Sequence, residues 1–136
     1  MSLTPYLLGE IYGVNADRFS AACSLLTLLE MIMKRNAFAM RLHPGCEAEY
    51  KKRHDQIWPE LKAELRKAGV SDYSIYLDSK THTLFAFQYL ADDATDGELA
   101  GKEIVKKWWH MMGDIMDTNP DESPVSDTLI EMFHMD

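Results

Sequence analysis

The sequence has few cysteines and lacks the common motifs for metals, nucleotides and activated serines. Cys23 and Cys46 are its two cysteines, too few for a disulfide framework and too far apart for a redox pair. There is no HExxH, no CxxC, no glycine-rich phosphate loop and no GxSxG elbow. We therefore expect no metal and no cofactor, and the sparse use of cysteine favours a cytoplasmic protein.

Basic residues are in the minority and are missing from the C-terminal end. Lys and Arg number 14 against 22 Asp and Glu, a formal net charge of −8. Residues 113–136 contain seven acidic residues and neither Lys nor Arg. Such a charge repels phosphate backbones and anionic lipid headgroups. We expect neither nucleic acid nor a membrane as partner.

No apolar run has the length of a membrane span. The stretch Phe19–Met33 contains Glu30 and follows no basic segment, so we predict neither a transmembrane helix nor a signal peptide. A chain of 136 residues with 46% hydrophobic and 26% charged residues is typical of one soluble globular domain. This size disfavours an enzyme with separate cofactor and substrate domains.

Residues 1–32 differ in character from the remainder, with scattered polar residues followed by an apolar run. Met31 and Met33 stand just before the first clear strand. We interpret residues 1–32 as an N-terminal extension without a catalytic part, and residues 33–136 as the functional domain.

Hydrophobic patterning predicts six elements in the functional domain. Alternating apolar residues indicate strands, and apolar residues spaced by three and four indicate helices. Pro59 lacks a backbone N–H, so we expect a kink or a new helix start there. The predicted elements are a strand at 36–42, a helix at 47–68, strands at 72–77 and 83–90, a helix at 98–116 and a strand at 128–134.

This β-α-β-β-α-β order is the split βαβ arrangement of ferredoxin-like α+β folds, with both helices on one face of an antiparallel sheet. The strands are apolar on both faces; Leu84 and Ala86, for example, alternate with Phe85 and Phe87. The helix-free face of a monomer would then expose apolar side chains. We therefore predict a homodimer that packs sheet against sheet.

Among the five histidines, His54 is the candidate for acid–base chemistry. It falls on the core-facing stripe of its helix, one turn after Tyr50. A histidine on an apolar face is more often a hydrogen-bonded core residue, so that alternative stays open on periodicity alone. The other histidines lie in turns, on a polar helix face or near the C-terminus: His43, His82, His110 and His134.

Four aromatic residues are candidates to line a cleft. Trp108 and Trp109 are adjacent and fall on two flanks of one apolar stripe, and Tyr50 and Tyr73 are the other two. Sugar rings present C–H faces that pack on aromatic planes, while Tyr O–H and Trp N–H groups bind hydroxyls. Core packing remains the alternative for each Trp. Together with one titratable group, these aromatics favour a neutral polyhydroxylated substrate.

Several segments of residues 33–136 closely resemble the L-rhamnose mutarotases. The most specific are YKKRHDQIWPE at 50–60 and KWW at 107–109. Lys52-Arg53-His54 stands where the family has Arg-Arg-His, which leaves the histidine in place. Residues 1–32 have no counterpart in the family. Further matching segments are YSIYLD at 73–78, LFAF at 84–87, NPD at 119–121 and SPVS at 123–126.

The resemblance implies a dimeric α+β barrel that interconverts the α and β anomers of L-rhamnose without a cofactor, an isomerase of rhamnose metabolism. His54 matches the catalytic proton donor, and Tyr50, Tyr73, Trp108 and Trp109 match the sugar-contacting positions. In such a reaction the ring oxygen gains a proton while the anomeric hydroxyl loses one. A positioned acid–base group contributes about 10²–10⁴-fold to such a step. The identity of the opposing base stays open.

Two other kinds of function share this fold. Small dimeric α+β barrels include cofactor-free monooxygenases and haem-handling proteins, in which the Trp pair would line a hydrophobic pocket, and fold alone does not fix function. A non-catalytic ligand-binding protein is the other alternative. The match at the level of motifs favours the mutarotase.

Overall fold

The computed structural model describes residues 33–136. The expected extension at 1–32, with nearly all of the apolar run Phe19–Met33, lies outside the described residues. Among the described residues, no helix has the length and apolar character needed to cross a membrane.

Residues 33–136 form a four-stranded sheet with helices on one face. The strand order is β2-β3-β1-β4, and the pairs β2–β3 and β1–β4 are antiparallel. This arrangement confirms the ferredoxin-like α+β fold. The elements are β1 (Met33–Arg41), α1 (Glu47–Asp55), α2 (Pro59–Lys67), β2 (Val70–Asp78), β3 (Thr83–Ala91), a 3-10 helix (Asp96–Gly101), α3 (Glu103–Met112) and β4 (Ser126–Thr128).

The region predicted as one helix at 47–68 is two helices separated at Pro59. Pro59 occupies the first position of α2, where its missing N–H removes no helical hydrogen bond. Trp58 before it is extended, with φ −62° and ψ 131°, the conformation that a following proline favours. The expectation of a new helix start is therefore confirmed.

The helix predicted at 98–116 is wrong at both ends. Residues 96–101 form the 3-10 helix, and extended Lys102 (φ −78°, ψ 131°) precedes α3, which ends at Met112. Gly97 and Gly101 lie in the 3-10 helix and Gly113 directly follows α3, and glycine disfavours the α-helical conformation. Ile115 and Met116 are nonetheless buried, with 5% and 3% exposed. The apolar stripe thus predicted burial correctly and helical backbone incorrectly.

The strand predicted at 128–134 is also wrong, because β4 is short and earlier in the chain. Ser126–Thr128 pairs with Phe38–Met40, and one further hydrogen bond joins the Leu129 N–H to the Ala37 carbonyl at 2.9 Å. Beyond this point the chain forms no further strand. Ile130, Met132 and Phe133 are 84%, 89% and 81% exposed.

The core lies between α1–α3 and one face of the sheet. Leu84, Ala86 and Met112 are at most 2% exposed and pack in one cluster with residues of β1 and α3. The opposite face of the sheet stays apolar and open, with Tyr76 69% and Phe85 41% exposed. The predicted apolar character of both faces is therefore confirmed.

Candidate active site

A cleft of about 1260 Å³ opens between α1, α3 and the helix-bearing face of the sheet. Its volume is ample for a small molecule. The structure brings all five predicted site residues to its walls: Tyr50, His54, Tyr73, Trp108 and Trp109.

His54 lies near the end of α1 with one ring nitrogen engaged. Its Nδ1 is 3.1 Å from the carbonyl oxygen of Tyr50. A carbonyl only accepts hydrogen bonds, so Nδ1 carries a hydrogen and the neutral ring keeps its lone pair on Nε2. The imidazole also stacks on the Tyr50 ring, with centroids 4.2 Å apart and an interplanar angle of 24°. These contacts fix the ring and leave Nε2 for exchange of a proton.

Burial favours the neutral form of His54. Desolvation lowers the pKa of the imidazole, while the Tyr50 carbonyl and the Asp55 carboxylate oppose this effect. The net shift is downward. At neutral pH most of the population therefore has a neutral imidazole, ready to accept a proton.

The two tryptophans differ in burial. Trp108 is 8% exposed and meets both the His54 ring and the Trp58 ring edge to face, at 5.2 and 5.3 Å between centroids. Trp109 is half-buried and packs at the edge of the core. Trp108 thus forms part of the structural support of His54, whereas Trp109 keeps more of its surface open.

The two tyrosines bring protonated hydroxyls to the cleft. Tyr50 is 7% exposed, and burial, followed by the nearby Tyr73, raises the pKa of its phenol. Tyr73 is 40% exposed as a whole residue, yet burial around its hydroxyl raises the pKa to about 12. Because neither group ionises near neutrality, both hydroxyls are hydrogen-bond donors.

A β-bulge accompanies Tyr73. The β2–β3 register pairs Ser71 with Tyr89 and then Ser74 with Phe87, so two residues, Asp72 and Tyr73, stand opposite one. Asp72 has a φ of 45°, which is uncommon outside glycine. Bulges near active sites change the direction of side chains. Here the bulge includes Tyr73, whose side chain lines the cleft. Nothing in the alternation of the sequence indicates it.

Arg53 is a second feature that the sequence analysis missed. Its guanidinium donates to both carboxylate oxygens of Asp114, at 2.7 and 3.1 Å, and to Glu49 at 2.9 Å. It also donates to the carbonyl of Met111 at 2.5 Å. These bonds tie α1, one residue before His54, to the C-terminal end of α3. The i,i+4 spacing of Glu49 and Arg53 was the one signal available in the sequence.

Within residues 33–136, no group of three or more His, Cys, Asp or Glu side chains could hold a metal ion. The His54 and tyrosine side chains of the cleft can exchange protons and form hydrogen bonds. The absence of a cofactor stays a prediction.

The chain is similar to known L-rhamnose mutarotases over its described part. The family model for L-rhamnose mutarotase matches residues 35–135. An L-rhamnose mutarotase from Bacteroides thetaiotaomicron is 62% identical over 104 residues, which cover 76% of this chain and 100% of that protein. One from Rhizobium johnstonii is 53% identical over 105 residues, or 77% of this chain and 99% of that protein.

Solved structures are also similar to this chain. The crystal structure of an L-rhamnose mutarotase from Formosa agariphila has a TM-score of 0.70 at 55% identity, and the match covers 76% of this chain and 99% of that one. A conserved protein from Methanosarcina mazei has a TM-score of 0.50 at 16% identity, with 76% and 96% covered. The second similarity shows the fold alone.

Proposed function

Since this chain belongs to the L-rhamnose mutarotase family, we propose that it interconverts the α and β anomers of L-rhamnose and that His54 moves the proton. The activity is that of an isomerase, in the class of racemases and epimerases that act on carbohydrates. Family membership favours it over the monooxygenase-like and ligand-binding alternatives. The observation that carries the role of His54 is its Nδ1 bond to the Tyr50 carbonyl, which leaves Nε2 for the substrate.

The proposed step moves a proton between the two oxygens attached to the anomeric carbon. Neutral His54 accepts the proton of the anomeric hydroxyl on Nε2 while the bond between the anomeric carbon and the ring oxygen breaks. The imidazolium then gives that proton to the ring oxygen, which leaves an open aldehyde and a neutral histidine. Rotation about the C1–C2 bond and the reverse sequence close the ring on its other face. The same group serves both directions, as microscopic reversibility requires.

The tyrosine and tryptophan side chains bind and orient the sugar. We assign Tyr50 and Tyr73 as donors to sugar oxygens, because raised pKa values keep both hydroxyls protonated. A donor at the ring oxygen would stabilise its developing negative charge as the ring opens. Trp108 and Trp109 supply apolar planes for the C–H faces of the sugar.

Saturation transfer between the two anomeric protons of L-rhamnose, measured by NMR with and without the protein, tests the activity directly. We expect the exchange rate to rise with protein concentration. No increase over buffer at micromolar protein would contradict the proposed function. D-glucose serves as the control sugar for non-specific acid–base catalysis by surface groups.

The protein also forms a homodimer in this proposal. The helix-free face exposes Tyr76 and Phe85, and a second copy would cover them sheet against sheet to give the dimeric α+β barrel. Apolar side chains of this size rarely form an extended open face in a monomer.

The proposed location is the cytoplasm, on the ground of the low cysteine content. The proposed functional domain is residues 33–136, since curated relatives match along nearly their whole length to about 104 residues of this chain. A chain that begins at Met33 should fold and keep its activity. An insoluble or inactive product would show that residues 1–32 complete the domain.

A further inference from the structure

Gln88 is a buried polar residue on the cleft side of β3. It is 7% exposed, and Thr83 at 9% is the other polar side chain in the buried set of residues 33–136. The Thr83 hydroxyl accepts a hydrogen bond from Thr81 at 2.8 Å. The amide of Gln88 has no side-chain hydrogen bond to any residue of the described part of the chain.

The amide of Gln88 nevertheless reaches the surface of the cleft. No side-chain nitrogen or oxygen among residues 33–136 is both sealed from solvent and unpaired. Gln88 lines the cleft together with His54 and Tyr73. Within residues 33–136, the surface that its polar atoms can reach is therefore that of the cleft.

The sheet register places Gln88 beside Tyr73. Gln88 lies between Phe87 and Tyr89 on β3, so it is the single residue opposite the two bulged residues Asp72 and Tyr73. The Tyr73 ring in turn lies 6.3 Å from the ring of Phe38 on the other side of β3. Gln88 is thus on the floor of the cleft, next to a predicted sugar-contacting residue.

An amide at this position is not explained by packing of the apolar core. Along the same face of β3, the two preceding residues are Leu84 and Ala86, both in the apolar core. An apolar side chain of similar volume would extend this core, whereas the Gln88 amide reaches the cleft and can pair with groups that enter it. A polar side chain in an otherwise apolar row at the wall of a cleft suits contact with a ligand or with water.

We propose that Gln88 is a specificity-determining residue that hydrogen-bonds hydroxyl groups of the sugar at the floor of the cleft. This inference rests on the proposed function. The side-chain amide offers two donors and a carbonyl acceptor on adjacent atoms, which suits two neighbouring hydroxyls of a pyranose ring. A site built to bond a hydroxyl rejects an analogue that lacks it, because the site's own polar group is then left unpaired.

Gln88→Met tests the proposal, because methionine keeps the length and most of the volume while removing donors and acceptor. We expect the KM for L-rhamnose, and the Kd from titration of tryptophan fluorescence, to rise about 3- to 10-fold. The melting temperature should stay equal or increase. The matched control is Thr83→Val, which removes the other buried polar group of β3 outside the cleft. It should leave sugar affinity unchanged.

Binding of a series of deoxy sugars adds a measurement that would not change if Gln88 had only a structural role. Monodeoxy analogues of L-rhamnose at C2, C3 and C4 should bind the original protein unequally, and Gln88→Met should lose the discrimination at one or two of these positions. Unchanged affinity and unchanged discrimination would overturn the proposal. If the Gln88→Met protein does not fold, Gln88→Val is tested in its place, because valine favours the strand conformation. Failure of both variants to fold would assign Gln88 a structural role and also overturn it.

The proposed function can fail separately. If the original protein does not accelerate anomer exchange, the mutarotase activity is wrong, while the fluorescence titrations still decide whether Gln88 binds the sugar. If exchange is fast and both variants retain the original Kd and KM, the inference about Gln88 alone is wrong.

Discussion

The ring of Trp108 meets the imidazole of His54 edge to face, with centroids 5.2 Å apart and an interplanar angle of 88°. Because Tyr50 stacks on the same imidazole at 4.2 Å, the ring is held by aromatic contacts of two different geometries. His54 is thus presented to the cleft in one orientation, with Nδ1 bonded and Nε2 available.

Replacement of His54 by Asn should lower kcat for anomer exchange by about 10²–10⁴-fold. Asn is polar and of modest size, so we expect the far-UV circular dichroism to be retained. His110→Asn is the matched control, because His110 is exposed on α3 and pairs with Glu122 outside the cleft. A folded His54→Asn protein with nearly the original rate would show that His54 is structural.

The pH profile of kcat should remain flat from about pH 8 down to the ordinary histidine range and decline only below it. The reason is that burial lowers the pKa of His54 from its usual value of 6.5, so the neutral form persists to lower pH. If kcat falls to half its plateau value while the pH is still above 6.5, the assignment of His54 as the titrating group is contradicted.

The same shift predicts how stability depends on pH. The folded pKa of His54 lies below the unfolded one, so the unfolded chain binds the proton first as pH falls. The free energy of unfolding should therefore decrease as pH drops through the unfolded value towards the folded one. Denaturant titrations of the original protein and His54→Asn between pH 8 and 5 isolate this contribution. Equal pH dependence in the two proteins would contradict it.

Trp108→Phe and Trp109→Phe should have different consequences. Trp108 is 8% exposed and packed against Trp58, so its truncation should reduce the free energy of unfolding by about 1–2 kcal/mol. Trp109 is half-buried, and loss of its N–H should weaken L-rhamnose binding by about 1 kcal/mol. Thermal melts and sugar titrations separate the two effects. Original affinity in both variants would remove the Trp pair from the sugar site.

Arg53→Met should lower kcat/KM on the order of 10-fold without a contact to substrate, since Arg53 fixes α1 against the end of α3. Lys52→Met is the control on the same helix, because Lys52 is exposed and does not line the cleft. Arg53→Lys should restore part of the activity, because it keeps the charge but not the bidentate bond. Equal kinetics for Arg53→Met and Lys52→Met would contradict a positioning role for the Arg53 bonds to Asp114 and Met111.

Phe85→Glu should convert the proposed dimer to a monomer, because it places a charge in the centre of the helix-free face. Ala63→Glu on the exposed side of α2 adds the same charge outside that face, so the assembly should keep the mass of a dimer. Sedimentation at micromolar concentration measures the mass of both variants. A monomeric original protein would refute the dimer itself.

The sequence predicts which residues are buried more accurately than it predicts the backbone conformation of those residues. His54 and Trp108 reach the cleft as the helical stripes indicated, and Pro59 divides the helices as its missing N–H requires. Ile115 and Met116 continue the apolar stripe of α3 but lie in non-helical chain, because periodicity reports a buried face and the adjacent Gly113 ends the helix.

The features that escaped prediction depend on residues distant in sequence. Arg53 and Asp114 are 61 positions apart, so their pairing follows from the packing of α1 on α3 and leaves no local signal. The bulge at Asp72 arises from the register between β2 and β3. Gln88 occupies a position that alternation assigns to the core, and its polar nature has meaning only once the cleft is known.

The break at Pro59 separates the segment that carries His54 from the rest of the helical layer. The end of α1 has two backbone bonds, from the Gln56 N–H to the Lys52 carbonyl and from the Ile57 N–H to the His54 carbonyl. The next helix begins with the Lys62 N–H bonded to the Trp58 carbonyl. In one continuous helix, an inserted residue would turn every later side chain by about 100°. The interruption at Pro59 prevents such a rotation from passing between α2 and α1. The orientation of the imidazole is therefore set by α1 and by its own contacts, independently of the helical phase of α2.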